Sequence, residues 1–442
     1  MRRRAFLTAT AGVLLAGARR PGAASPWRAG VAVADITPSP GLWMAGFAAR
    51  TEAAQGTALP LHAKALAIDD GAGARVVLVS LDLLGLTSAM AGRIAAALER
   101  LAGVPRAPLL LNASHTHCGP VVDDQLQVAY PLDDAQRARI RAYTAQLEQR
   151  IVATAARAVR DLAPARLEWA TGTAGFAANR RVQFTPDGPV DHTVPVLHVR
   201  APDGASRAIV FGYACHNTTL QASFVRYHGD YAGIAQRELE SRHAGTTALF
   251  VAGCGADANP KPRGTVTLVE QHGTALADAV DVAQSRGLAL EGRLRTGFEE
   301  VALPFAPPPP ADVWKAKLDD EDQYVRRHAR LMLEQIARDG ALPSEQLQPV
   351  QLWRIGDLTL VALGGEVVVD YALRLRHERP GVHLWVAGYS NDVFGYVPSR
   401  RVLAEGGYEG GGAMLYYGRP GPFDASVEAR ILSTIERLWS RQ

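Results

Sequence analysis

Cysteine is scarce. Three residues, Cys118, Cys215 and Cys254, serve a chain of 442, and so odd and sparse a set argues against a disulfide framework. Charge of one sign is also lacking, since 47 basic residues nearly balance 44 acidic ones for a net of +3. No run of Lys and Arg interleaved with aromatics is present, so no nucleic-acid partner is expected. Beyond the N-terminus no apolar run reaches the ~20 residues that span a bilayer, so the mature protein is expected to carry no transmembrane segment. No internal repeat is visible.

A hydrophobic content of 48% is present, enough for a large core and too much for a disordered chain. The first residues, MRRRAFLTATAGVLLAGA, place arginines ahead of Phe6, Leu7 and a short apolar stretch of small residues. That pattern reads as an export signal over residues 1–24, with Gly22 to Ser25 a plausible cleavage site. Its Arg-Arg-x-Phe-Leu order resembles the twin-arginine type, which exports folded proteins. A periplasmic or secreted protein is the expectation, with an ordinary secretory signal as the alternative.

From residue 25 onward apolar strands alternate with amphipathic helices. VAVAD, LHAKALAIDD and ARVVLVSLDLL lead into a helix and then APLLLNASHTH; apolar residues at helical spacing (Ile140, Tyr143, Leu147, Ile151, Ala155) predict a helix over residues 133–160. DHTVPVLHVR and RAIVFGYACHNTTL read as paired strands. Four prolines, Pro307 to Pro310, form a stiff connection into a charged helical excursion, after which the strand-then-helix pattern resumes. The expected fold class is α/β, with a mixed β-sheet core flanked by helices in one large catalytic domain over residues 25–442.

Polar residues of one chemical kind gather at the strand ends. NASHTHCGP puts His115 and His117 after one strand, His216 follows another, Glu366 stands at a strand-to-helix junction, and Asn391 and Tyr396 follow LWVAGYS. Ligands bind where the carboxyl ends of strands in α/β sheets converge. Two imidazoles and a carboxylate are the ligand set of a catalytic zinc site. Strand alternation would turn His115 and His117 to one side. The paired histidines could equally be an acid/base pair or two satisfied structural residues. Glu366 could simply favour a helix N-terminus, and Tyr396 could be packing. The cysteines beside His117 and His216 could be thiolate ligands, although small buried packing residues are the favoured reading.

The segments VAVADITPSPG with MAGFA, VLVSLDLLGL, NASHTHCGP, ANRRV, YACHNTTL, HGDYAG, GCGADANP, LGGEVVVDYALRLR and GYSNDVFGYVPSRRVLAEGGYEGG run in order along nearly the whole mature chain. In them the sequence resembles the neutral/alkaline (non-lysosomal) ceramidase family, in its zinc-dependent catalytic domain. The resemblance implies Zn²⁺ held by His115, His216, Glu366 and Tyr396, with His117 beside it as proton carrier; the roles of the two histidines could be exchanged. It further implies that Arg180 holds the polar end of the substrate, and that Cys118 occupies a serine position of the family. Two departures stand out. Asn259 replaces the family's catalytic serine in Asp257-Ala258-Asn259-Pro260, and the immunoglobulin-like C-terminal domain of typical members is not expected here. An amide cannot act as nucleophile but can donate to an oxyanion, so the chemistry is expected to lean on a metal-activated water.

The expected function is therefore zinc-dependent hydrolysis of an amide, ceramidase-like, on a small-molecule or lipid substrate, with transient membrane-surface contact. Asp230 in HGDYAG is a candidate partner for a ligand histidine, or else a loop cap. Alternatives are a periplasmic amidase or esterase on a smaller substrate, and an exported binding protein with a degraded site. Oligomeric state is not legible.

Overall fold

The computed structural model describes residues 27–442, so the proposed export signal lies outside the described residues. Three main sheets build the core. In the first, strand Leu109–Ala113 lies beside Arg75–Leu81, followed by His62–Asp69, Arg28–Asp35 and Ala163–Pro164. In the second, Thr247–Ala252 lies beside Ser206–Tyr213, then Thr193–Arg200, Arg166–Thr173 and Leu288–Ala289. In the third, His383–Ala387 lies beside Leu358–Leu363, then Glu345–Ile355 and Leu294–Pro304.

Each sheet shares one feature. Its edge pair is parallel, whereas its other pairings are antiparallel. Helices Ser88–Ala102, Asp230–Arg242 and Asp370–Glu378 stand in the three crossovers between the paired parallel strands, as parallel pairing demands. The mixed sheets flanked by helices match the α/β expectation, and the helix expected over 133–160 is Asp134–Arg160, capped by the Asp133 carboxylate.

Side-chain alternation assembles the layers. Leu110, Val76 and Leu78 face inward, where they meet Val210, Val251, Trp353, Leu360 and Trp385 from the other two sheets. Leu109, Leu111, Val77 and Val79 face outward onto the two helices of the first sheet. Strands buried on both faces explain why APLLL and RVVLVSL read as continuous apolar runs.

The three edge strands meet at their carboxyl ends. Isolated bridges tie Asn112 to Ser390 and Gly253 to Ala387. Asn112, fully buried, donates to Gly388 O at 2.8 Å and accepts from Ala252 N at 2.9 Å, so one amide spans all three sheets. Replacing it with alanine would strand the buried Ala252 N–H, at ~1–3 kcal/mol, and leave Gly388 O with the Ser390 hydroxyl alone. Asn112→Ala is expected to lose about 2–4 kcal/mol in urea unfolding at unchanged m-value; a loss below ~1 kcal/mol would show that the sheets are held together without it.

Candidate metal centre

The loops leaving these converging strand ends carry the predicted residues. His115 and His117 follow strand Leu109–Ala113, and His216 follows Ser206–Tyr213. The histidine pair is not on a strand, however. The strand ends at Ala113 and His115 takes a left-handed φ of 60°, so alternation does not bring the two rings together. The loop does, clamped by a bridge from Thr116 to Asn217 and by the Asn217 amide donating to Ser114 O. The same asparagine thereby ties the His115 loop to the His216 loop.

Glu366 and Tyr396 are direct register partners in a short parallel ladder, Glu366–Val367 beside Tyr396–Val397. Glu366 therefore lies in a strand ahead of helix Asp370–Glu378 rather than in its first turn, which removes the helix-dipole explanation for its charge.

The atoms converge tightly. Glu366 Oε2 lies 3.1 Å from His115 Nε2 and 3.1 Å from His216 Nε2. The Tyr396 hydroxyl lies 3.2 Å from His216 Nε2, and His117 Nε2 lies 3.3 Å from His115 Nε2. His115 Nδ1 donates to Leu84 O at 2.7 Å and His216 Nδ1 to Gly255 O at 3.0 Å. Those bonds commit the ring protons outward and turn both Nε2 lone pairs onto Glu366. Glu366 Oε2 is buried and accepts no hydrogen bond among the described residues. Two lone pairs facing an unpartnered carboxylate oxygen repel unless a cation lies between them. Separations of 3.1–3.2 Å among His115, His216, Glu366 and Tyr396 match the ~3.3 Å edge of a tetrahedron with zinc-ligand bonds of ~2.0–2.1 Å. The residues present thus fit a metal ion, and the cluster of His115, His117 and His216 is itself close enough to hold one.

Burial favours neutral rings. It pushes His216 down to about 4, with Arg180 adding to the shift, and lowers His117 well below the usual range together with His115 and His216.

His117 differs from its neighbours. Its Nδ1 is buried and unpartnered among the described residues, and its ring packs on Phe47 at 4.7 Å. Gly46 makes room for it, because a Cβ there would come within 2.4 Å of the ring. Arg180 donates to the Tyr396 hydroxyl at 2.9 Å and to Glu409 Oε1 at 2.6 Å, and Glu409 Oε2 accepts from Arg181 at 2.5 Å. Asn259 lies in a ladder beside Ala178, its amide oxygen accepting from Thr218 Oγ1 at 3.2 Å. That leaves its amide nitrogen uncommitted among the described residues, although Asn259 does not line the cavity beside the histidines.

Asp230 takes backbone N–H groups of Leu220 and Tyr231 at 2.9 and 2.7 Å. It caps the loop and touches no ligand-candidate histidine. The three cysteines are buried free thiols, and burial raises Cys118 to about 12, so packing accounts for them. Sequence reading missed Tyr417, whose hydroxyl donates to Glu366 Oε1, and Glu409, which sets Arg180. Both sit in the Gly-rich GGYEGGGAMLYYG stretch, where composition alone signals a loop.

Above the cluster is a cavity of about 240 Å³ lined by Phe47, Leu84, Leu126, Tyr408, Tyr416 and Tyr417, with His115, His117, Glu366 and Tyr396 at its floor. Among the described residues no helix is long and apolar enough to cross a membrane.

A family model described as neutral/alkaline non-lysosomal ceramidase, N-terminal, matches residues 27–260. Among solved structures, neutral ceramidase from Pseudomonas aeruginosa is similar with a TM-score of 0.75 at 20% identity, over 93% of this chain and 75% of that one. A ceramidase complexed with C2 gives a TM-score of 0.73 at 19% identity, over 93% and 76%. No curated protein matches the chain.

The geometry separates the two histidines of His-x-His by experiment. His115→Ala is expected to abolish stoichiometric metal, whereas His117→Ala retains it. Tyr417→Phe, which frees Glu366 Oε1, is expected to weaken metal affinity ~10–100-fold in chelator competition. Metal lost from His117→Ala but kept by His115→Ala would reverse the assignment.

Proposed function

The chain belongs to the neutral/alkaline non-lysosomal ceramidase family, and from that premise we propose that it is a zinc-dependent amide hydrolase that cleaves the N-acyl bond of ceramide to a sphingoid base and a fatty acid. The observation that carries the reading is the unpartnered Glu366 oxygen set between two outward-anchored imidazoles. His115, His216, Glu366 and Tyr396 would hold the ion, a nitrogen and oxygen set suited to zinc. Bound there, zinc would polarise the amide carbonyl and lower the pKa of water.

The chain's own residues do the rest. His117, neutral and free at Nδ1, takes a proton at a ring nitrogen and returns it to the leaving amine. Arg180, fixed by Glu409, holds the Tyr396 hydroxyl and presents its cation to the polar end of the substrate. Asn259 contributes an amide N–H toward the developing oxyanion. Apolar walls of Phe47, Leu84 and Leu126 exclude water and receive acyl carbon.

A second reading keeps the site and shortens the substrate. At about 240 Å³ the cavity falls below the ~300–1,000 Å³ of typical ligand pockets, which favours a short acyl group or a simple amide or ester. Export through residues 1–24, to the periplasm or beyond, and transient contact with a membrane surface complete the proposal.

Purified protein assayed with a short-chain fluorescent ceramide and with simple amides tests both readings. Chelation is expected to abolish turnover and zinc to restore it. Arg180→Ala is expected to lower kcat/KM by ~10²-fold, through loss of a charge-assisted contact. Turnover of simple amides without ceramide would select the second reading, and zinc binding without any turnover would exclude both.

A further inference from the structure

A second concavity backs onto the catalytic cavity. Residues 126–132 line both, some facing one and some the other. Leu126 and Ala129 line the catalytic cavity, whereas Gln127, Val128 and Tyr130 line a separate pocket of about 260 Å³. The segment is braced from both sides. Tyr130 accepts a hydrogen bond from Gly46 N at 2.6 Å, and Gly46 in turn abuts the His117 ring. Arg327 donates to Val128 O at 3.4 Å.

Two helices bring three arginines to this pocket: Arg137 from Asp134–Arg160, and Arg327 and Arg330 from Gln323–Asp339. Spacing of three residues puts the latter two on one helical face. Arginines elsewhere in the chain, such as Arg93, Arg181, Arg242 and Arg401, are paired with carboxylates. Arg137 and Arg330 have no side-chain partner among the described residues, and Arg327 bonds to the Gln323 amide oxygen at 2.9 Å and to the Val128 carbonyl. One carboxylate, the exposed Glu334, shares the rim, so the pocket keeps an excess of positive charge. Leu132 and Leu331, with the buried Val128, add apolar carbon to its lining.

We propose that this pocket is an anion site that takes a phosphate ester bearing an apolar stem. Guanidinium forks match phosphate oxygens bidentately, and the apolar lining receives the carbon attached to the ester. The site stands independently of the hydrolase reading, because none of its arginines touches the histidine cluster.

Calorimetry with dihexanoylphosphatidylglycerol, inorganic phosphate and uncharged hexyl glucoside tests it, beside sedimentation with phosphatidylcholine vesicles with and without phosphatidylglycerol. The phosphate ester is expected to bind, inorganic phosphate more weakly and the glucoside not at all, with binding falling as salt rises. Arg327→Gln/Arg330→Gln is expected to weaken the ester at least ~10-fold. Arg330→Gln alone, which breaks no hydrogen bond, is expected to weaken it in part with an unchanged Tm. Sedimentation with the anionic vesicles and not the others assigns a lipid headgroup as the source; ester binding without sedimentation assigns a soluble phosphate ester. No ester binding, or binding that both variants leave unchanged, overturns the proposal.

Discussion

A carboxylate oxygen that accepts no hydrogen bond, buried 3.1 Å from two imidazole nitrogens whose protons point elsewhere, is the constraint on which this structure turns. Isolated, such a group would be expelled toward water or would capture a proton, because burying an unpaired charge costs several kcal/mol. Here every neighbour denies it that escape. Leu84 and Gly255 carbonyls hold the ring protons, Tyr417 occupies the other Glu366 oxygen, and the ladder to Tyr396 fixes the backbone. The arrangement makes chemical sense around a cation.

The fold supplies that arrangement by repetition. Three sheets each end in a parallel pair, and the carboxyl ends of those pairs meet around Asn112. Loops leaving those ends are tightly bonded to one another, as by the Thr116–Asn217 bridge and the Asn217 amide on Ser114 O. Backbone strain collects there as well. His115, Tyr389 and Asn391 all take positive φ, a costly conformation for non-glycine residues. Asn391 is held in it by reciprocal bonds with Leu111, so the strain is sustained by the inter-sheet junction and serves to place the His115 ring against Tyr389, 4.3 Å away.

Much of this was legible in the sequence. Continuous apolar strands, amphipathic helices and strand-end histidines identified an α/β fold with a polar cluster, because period and burial are local properties. What was illegible is long-range. Nothing local says that Glu366 and Tyr396 pair in register, or that Asn217 bridges two histidine loops. Strand alternation grouped His115 with His117, but a left-handed residue in a loop performs that grouping. Asp230 offered a ligand partner and a loop cap with equal plausibility, and only its bonds to Leu220 and Tyr231 decide for the cap. Glu409 and Tyr417 were hidden in a Gly-rich stretch whose composition gives no hint of which side chains turn inward.

The apolar cavity over the cluster and the arginine-lined pocket behind it are both lined by residues 126–132, so the same loop that shapes one shapes the other. The central claim concerns the ion, and X-ray absorption at the zinc edge of the zinc-loaded protein tests it most directly. The account predicts a first shell of two imidazole nitrogens and three oxygens, from Glu366, Tyr396 and water, at ~2.0–2.2 Å with no sulfur. A shell of three imidazoles, or any sulfur at ~2.3 Å, would contradict it.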